Sequence, residues 1–173
     1  MIEDERRSRA ARVVESARLM MNAARTAPKT KGNDLVEIAL VSGDDLKVLS
    51  DHMKRIGTEE NRPGMVRNSD NILRGDALLL IGCRPQPMGL NCSHCGYLNC
   101  AAKPVGVACV FNPMDVGIAL GSACALAADL RLDTRIMYTA GIVAQQLGWL
   151  PGCCYVQAVA ISATSKSPFF DRG

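Results

Sequence analysis

The chain has 173 residues, 48% hydrophobic and 21% charged, with a net charge of +3. That length suits one compact domain, residues 1–173, and is short for two. The composition excludes wholesale disorder, and the weak, dispersed positive charge excludes a nucleic-acid footprint, so no nucleic-acid partner is expected.

The opening MIEDERRSR has no apolar core and is not a secretory leader. No apolar run in the sequence approaches the length needed to span a bilayer, so a cytoplasmic chain with no membrane partner is expected. In that compartment thiols stay reduced, and clustered cysteines more often mean metal or redox chemistry than structural disulfides.

Apolar residues at Val13, Val14, Ala17, Met20, Met21 and Ala24 recur at steps of three and four, predicting a helix over residues 3–26. Arg6, Arg7, Arg9 and Arg12, interleaved with Glu3, Asp4, Glu5 and Glu15, read as its solvated face. A break at residues 28–33 precedes LVEIALV (35–41), a short branched run that reads as a strand. Ser42 is a candidate cap for a helix with the stripe Leu46, Leu49, Met53 and Ile56, ending at Gly57. Residues 58–75 are polar and read as a loop with a short helical piece. Residues 77–81 form a continuous apolar run, the pattern of a strand buried on both faces. Asn112 and Pro113 open a helix to about Leu130, lined by Val116, Ala119, Leu120, Ala123 and Ala127. A strand over 135–138, a helix over 140–147 and a strand over 155–161 close the pattern. The fold class is α/β (α+β), a small central sheet flanked by helices.

The segment NCSHCGYLNCAAKPVGVAC, residues 91–109, holds four of the eight cysteines. It lies in a connection, within a cysteine-rich stretch over 83–112 that reads as a metal- or cluster-binding insertion. The spacing Cys92-x2-Cys95-x4-Cys100-x8-Cys109 offers four thiolates, as many as a [4Fe–4S] cluster, a [2Fe–2S] cluster or an all-cysteine zinc site needs. Only one CxxC arm is present where a zinc ribbon has two, and zinc stays an alternative, as does no metal at all. Cys83, at the end of the buried strand, is the reserve ligand if Cys109 is not used. Cys124 reads as core, and the neighbours Cys153 and Cys154 should point to opposite faces. With two histidines, His52 and His94, no hydrolase or transferase constellation is visible.

NCSHCGYLNC, the stretch beginning DVGIALGSACALAADLRLDTR, and ISATSKSPFFDR together resemble a family of uncharacterised bacterial and archaeal proteins described as containing a ferredoxin domain. The resemblance to the CxxCGxxxC iron–sulfur motif implies ligands at Cys92, Cys95 and Cys100, with Cys109 as fourth. A second resemblance is to flavin nitroreductases, carried by Arg7-Ser8, Ala27-Pro28, residues 115–133 and Leu147-Gly148 before Pro151. It implies a nitroreductase-like fold, bound FMN and a homodimer. Arg7, Arg9, Lys29 and Lys166 are then the candidates for the flavin phosphate. Where that family has Ser and Asn-x-Gln against the flavin, this chain has Lys29, Thr30 and Gly32-Asn33-Asp34.

Three functions follow. The first is an iron–sulfur electron-transfer protein exchanging electrons with a partner protein or a small-molecule acceptor. The alternatives are a zinc-stapled structural or binding module, and an FMN-dependent reductase.

Overall fold

In a computed structural model of the chain, residues 1–170 are described. Asp171 and Arg172 of the closing SPFFDR motif lie outside them. The order is α1 (Glu5–Thr26), a 3-10 turn at Thr30–Gly32, β1 (Val36–Ser42), α2 (Asp44–Glu59), α3 (Pro63–Ile72), β2 (Ala77–Cys83), a 3-10 turn at Cys100–Ala102, α4 (Phe111–Asp129), β3 (Asp133–Met137), α5 (Tyr138–Gln146) and β4 (Tyr155–Ser162).

The four strands form one sheet in the order β1-β2-β4-β3, and every neighbouring pair is antiparallel. β2 lies between β1 and β4 with every residue buried, which is why it reads as an unbroken apolar run. Its residues alternate between two cores. Ala77, Leu79, Ile81 and Cys83 pack with Val13, Ala17 and Met20 of α1 and Val116, Ala119 and Ala123 of α4. Leu78 and Leu80 pack on the opposite face with Leu49 and Met53 of α2, Met65 and Ile72 of α3, and Ala140 and Val143 of α5. A period of two on the strand thus meets a period of 3.6 on the helices, on both faces of one sheet.

The short helical piece expected within residues 58–75 is α3, entered through Pro63 in its first turn. Three expectations need correction. Gly57 does not stop α2, which continues to Glu59; it is a spacer between α2 and α3, since a Cβ there would lie 3.0 Å from Val66 Cγ2. Ser42 does not cap α2: the cap position is Gly43, at φ 61°, and no side chain bonds the helix end. Asn112 lies inside the first turn of α4. Its Oδ1 accepts from Cys109 N at 2.8 Å and its Nδ2 donates to Gln86 O at 3.1 Å, so it ties the helix to the preceding loop.

α4 is also, among the described residues, the one helix long and apolar enough to cross a membrane by length and composition. The sequence reading found no such run. In the fold one side of α4 is core: Val116, Ala119, Ala123 and Ala127 are buried against α1 and the sheet.

Candidate metal centre and cofactor sites

From Cys83 the chain leaves β2 and crosses residues 84–99 without helix or strand. Asn91, Ser93 and Gly96 all take the left-handed conformation, at φ 49°, 60° and 84°. Gly96 N donates to Ser93 O at 2.9 Å, closing a tight turn over the CxxC pair. Glycine suits that position, because positive φ crowds a side chain and costs glycine nothing. A reciprocal clasp shuts the loop: Asn91 N donates to Cys100 Sγ at 3.3 Å, and Cys100 N donates to Asn91 Oδ1 at 2.9 Å. Ser93 Oγ donates to Leu98 O at 3.0 Å, and Ala102 N to Asn99 Oδ1 at 2.9 Å. The loop is therefore held by its own short polar side chains, with little hydrophobic burial behind it.

Cys92, Cys95 and Cys100 are half-buried on this loop, whereas Cys109 is buried beside the start of α4. Among the described residues, no group of three or more His, Cys, Asp or Glu side chains is close enough to hold a metal ion. The donors share a loop and a chemistry but, in this conformation, not a common point. The chemistry fits a soft metal or an iron–sulfur cluster. The donors are thiols, and a backbone N–H already reaches one sulfur, the type of bond that tunes cluster potential. The His94 ring packs tilted on Phe111, with centroids 6.5 Å apart, so it faces the start of α4.

The four cationic candidates do not meet within one subunit. Lys29 Nζ donates to Ala24 O at 2.7 Å and Arg25 O at 2.5 Å, covering carbonyls at the C-terminal end of α1. Burial pushes its ammonium pKa down. Arg9 lies near the other end of α1, about 25 Å away at 1.5 Å per residue, and makes a bidentate pair with Glu5. Arg7 is exposed in the first turn, its backbone N donating to Asp4 Oδ1 at 3.0 Å. Lys166 is exposed in the tail, its carbonyl accepting from Thr164 Oγ1 at 2.7 Å. Arg9 instead lines a recess of ≈ 270 Å³ with Arg12, Ser16 and Arg131. Arg12 follows Arg9 by one helical turn, whereas no periodic or motif pattern joins Arg131 to them.

Asp115 was also missed. Reached through α4 and almost fully buried, its Oδ1 accepts from Thr30 N at 3.0 Å and Thr30 Oγ1 at 2.8 Å, while Oδ2 has no partner. These bonds hold the Thr30–Gly32 turn, with Lys31 at φ 58°, against the first turns of α4. Thr30→Val keeps the shape and removes the hydroxyl, deepening the deficit of a buried acceptor. It is expected to cost about 1–3 kcal/mol, read as a lower denaturant midpoint at unchanged slope.

The geometry of loop and scaffold can be compared with known proteins. The family described as "Uncharacterized protein containing a ferredoxin domain" matches residues 105–172. A relative from Archaeoglobus fulgidus, itself an uncharacterized protein, is 38% identical over 167 residues, covering 91% of this chain and 90% of its own length. The chain belongs to this family. The matched stretch includes Cys109, Cys124, Cys153 and Cys154 and begins beyond Cys92, Cys95 and Cys100. Among solved structures, a nitroreductase with bound FMN from Bacteroides fragilis superposes at TM-score 0.61 with 12% identity, covering 87% of this chain and 77% of that one. The nitroreductase-like family protein from Bacillus cereus gives 0.62 with 16% identity, covering 92% and 79%. Nitroreductase CinD from Lactococcus lactis, in complex with chloramphenicol, gives 0.61 with 14% identity, covering 95% and 81%. The family member described here therefore has a nitroreductase-like fold.

Proposed function

We propose that this chain is an iron–sulfur redox protein, a single domain over residues 1–173 whose 83–112 insertion holds the cluster on a nitroreductase-like scaffold. The observation that carries the reading is the Asn91–Cys100 clasp. An irregular loop ending in a 3-10 turn carries three half-buried thiols and aims a backbone N–H at one of the sulfurs. Cys92, Cys95 and Cys100 are the assigned ligands and Cys109 the fourth; Cys83 is the reserve. When bound, a [4Fe–4S] cluster supplies one-electron transfer to or from a partner protein or a small-molecule acceptor. The chain's own residues orient the thiols, through the Ser93–Gly96 turn and the clasp. The family's description supports this reading.

Metal and acid-labile sulfide content of protein purified without oxygen tests it. Iron and sulfide in matched amounts with a broad brown absorption are expected. Zinc without sulfide would replace the redox reading with a zinc-stapled module.

A second subunit is part of the proposal. α4 is apolar on every side, and such a helix is stable only when covered. Its outer face carries Met114 and Ile118, 50% and 42% exposed, with open space beside Gly117 and Gly121. A homodimer packed through this face fits the small residues, and nitroreductase-like scaffolds are consistent with it. Ile118→Lys is expected to convert dimer to monomer by light scattering; an unchanged mass would remove this face from the interface.

FMN is the second reading, favoured by the recess that Arg9, Arg12 and Arg131 line, where a phosphate would take the guanidinium donors in place of Glu5, now paired with Arg9 and Arg12. Arg7, Lys29 and Lys166 would then serve it only from positions outside that recess. Flavin retained through purification is the test.

A further inference from the structure

We propose that Cys83 and Cys154 form a reversible cross-strand disulfide, a thiol–disulfide exchange site separate from the cysteine loop. Cys83 ends β2 and faces Tyr155 across the ladder to β4, with Cys154 the residue just before it. Cys154 N donates to Cys83 O at 2.9 Å. A disulfide needs Cα atoms ~4.4–6.8 Å apart, and the bond from Cys154 N to Cys83 O brings the two backbones together one residue off the Cys83–Tyr155 register. Both side chains pack on the α1/α4 face of the sheet, and Cys154 Sγ lies 3.5 Å from Cys83 O.

Cys153 does not compete. It packs on the opposite face, its Sγ beside Gly82, where a Cβ would approach it to 3.1 Å. Burial, and then the neighbouring Cys154, push the Cys83 thiol pKa upward. Cys154 is half-buried and Cys83 fully buried, which sets the order of events.

The reactant is a low-molecular-weight disulfide. The Cys154 thiolate attacks one of its sulfurs, and the thiolate that leaves takes up the proton Cys154 lost. Cys83 then attacks the Cys154 sulfur, forming the Cys83–Cys154 bond. The second small thiol leaves with the proton from Cys83, so two electrons pass to the reactant. Oxidation ties the root of the cysteine loop to β4 and removes Cys83 from any ligand set. The proposal holds with the loop empty or with Cys109 as the fourth ligand.

The test is incubation of the full chain with oxidised glutathione, followed by alkylation of the remaining thiols and peptide mass mapping. A peptide joining Cys83 to Cys154 is expected, with the thermal midpoint raised roughly 5–15 °C. Cys83→Ala should stall as a glutathione adduct on Cys154, and Cys154→Ser should show no rise in midpoint. Recovery of both residues as free thiols, under conditions that modify Cys92, Cys95 and Cys100, would overturn the proposal. So would linkage of either to a different cysteine.

Discussion

Replacing Cys92, Cys95 or Cys100 by serine, one at a time, is expected to abolish stable metal loading of the anaerobically prepared protein. The loop makes its own structure from a few side chain–backbone bonds, so it has no rigid scaffold to compensate for a missing ligand. Serine keeps the size and loses the soft donor, so the scaffold should survive while the loading does not. Far-ultraviolet circular dichroism and the denaturant midpoint of the apoprotein would then match the parent. Cys109→Ser and Cys83→Ala separate the candidates for fourth ligand, since only one should lower the iron content. Asn91→Ala is the sharper probe of the geometry. It removes the Oδ1 acceptor that holds Cys100 N, while leaving all the sulfurs in place. A supporting residue of that kind is worth roughly 10–100-fold in metal affinity. Full loading of the Cys92, Cys95 and Cys100 variants would refute the assigned ligand set. An Asn91→Ala protein with unchanged affinity would show that the clasp is incidental to it.

The parts of this molecule legible in the sequence are those written locally. The stripe Val13, Ala17, Met20, Ala24 announces α1, and the apolar run of β2 announces a strand covered on both faces. The opposed directions of Cys153 and Cys154 follow from strand pleating, and the two residues do fall in different cores. The CxxC turn is local too, which is why its loop was found. α3 reads in the sequence only as a short helical piece because its buried set includes the polar Asn68, Ser69 and Asn71, although Asn68 Oδ1 has no partner. Asn68 donates to Thr139 at 2.9 Å, and Asn71 reaches the Phe169 carbonyl. The Asp115–Thr30 and Cys83–Cys154 contacts join residues far apart in the chain, and no local pattern encodes them. The four cations failed to meet for the same reason. They were grouped by chemistry, but α1 separates Arg9 from Lys29 by most of its own length. Arg12 shares a recess with Arg9 by helical spacing, and Arg131 is brought to it by the packing of α1 beside the end of α4.

The scaffold under the loop should be far less tolerant than the loop itself, and Gly141 is where this shows most. α5 lies directly on β4, and a Cβ at Gly141 would sit 2.2 Å from Val156 O and 2.9 Å from Gln157 Cα. Those are backbone atoms of β4, where Val156 and Gln157 are laddered to Gly82 and Ile81 of β2, so neither can move aside cheaply. Gly141→Ala would gain about 1 kcal/mol of helix propensity, yet α5 would have to lift off the sheet by about an ångström to reach ordinary contact. Lifting it opens the core around Ala140, Val143 and Ala144. The overpacking penalty outweighs the propensity gain, and a net loss of about 3 kcal/mol is expected, or roughly 6–12 °C in thermal midpoint. Against a total stability of about 5–15 kcal/mol that is a large fraction. Gly64→Ala is the control. Gly64 lies in α3 with only the far end of Arg67 within reach of a new Cβ, so the substitution should be neutral or stabilise by about 0.5–1 kcal/mol. Equal effects of the two substitutions would mean that α5 does not press on β4 as closely as Gly141 requires.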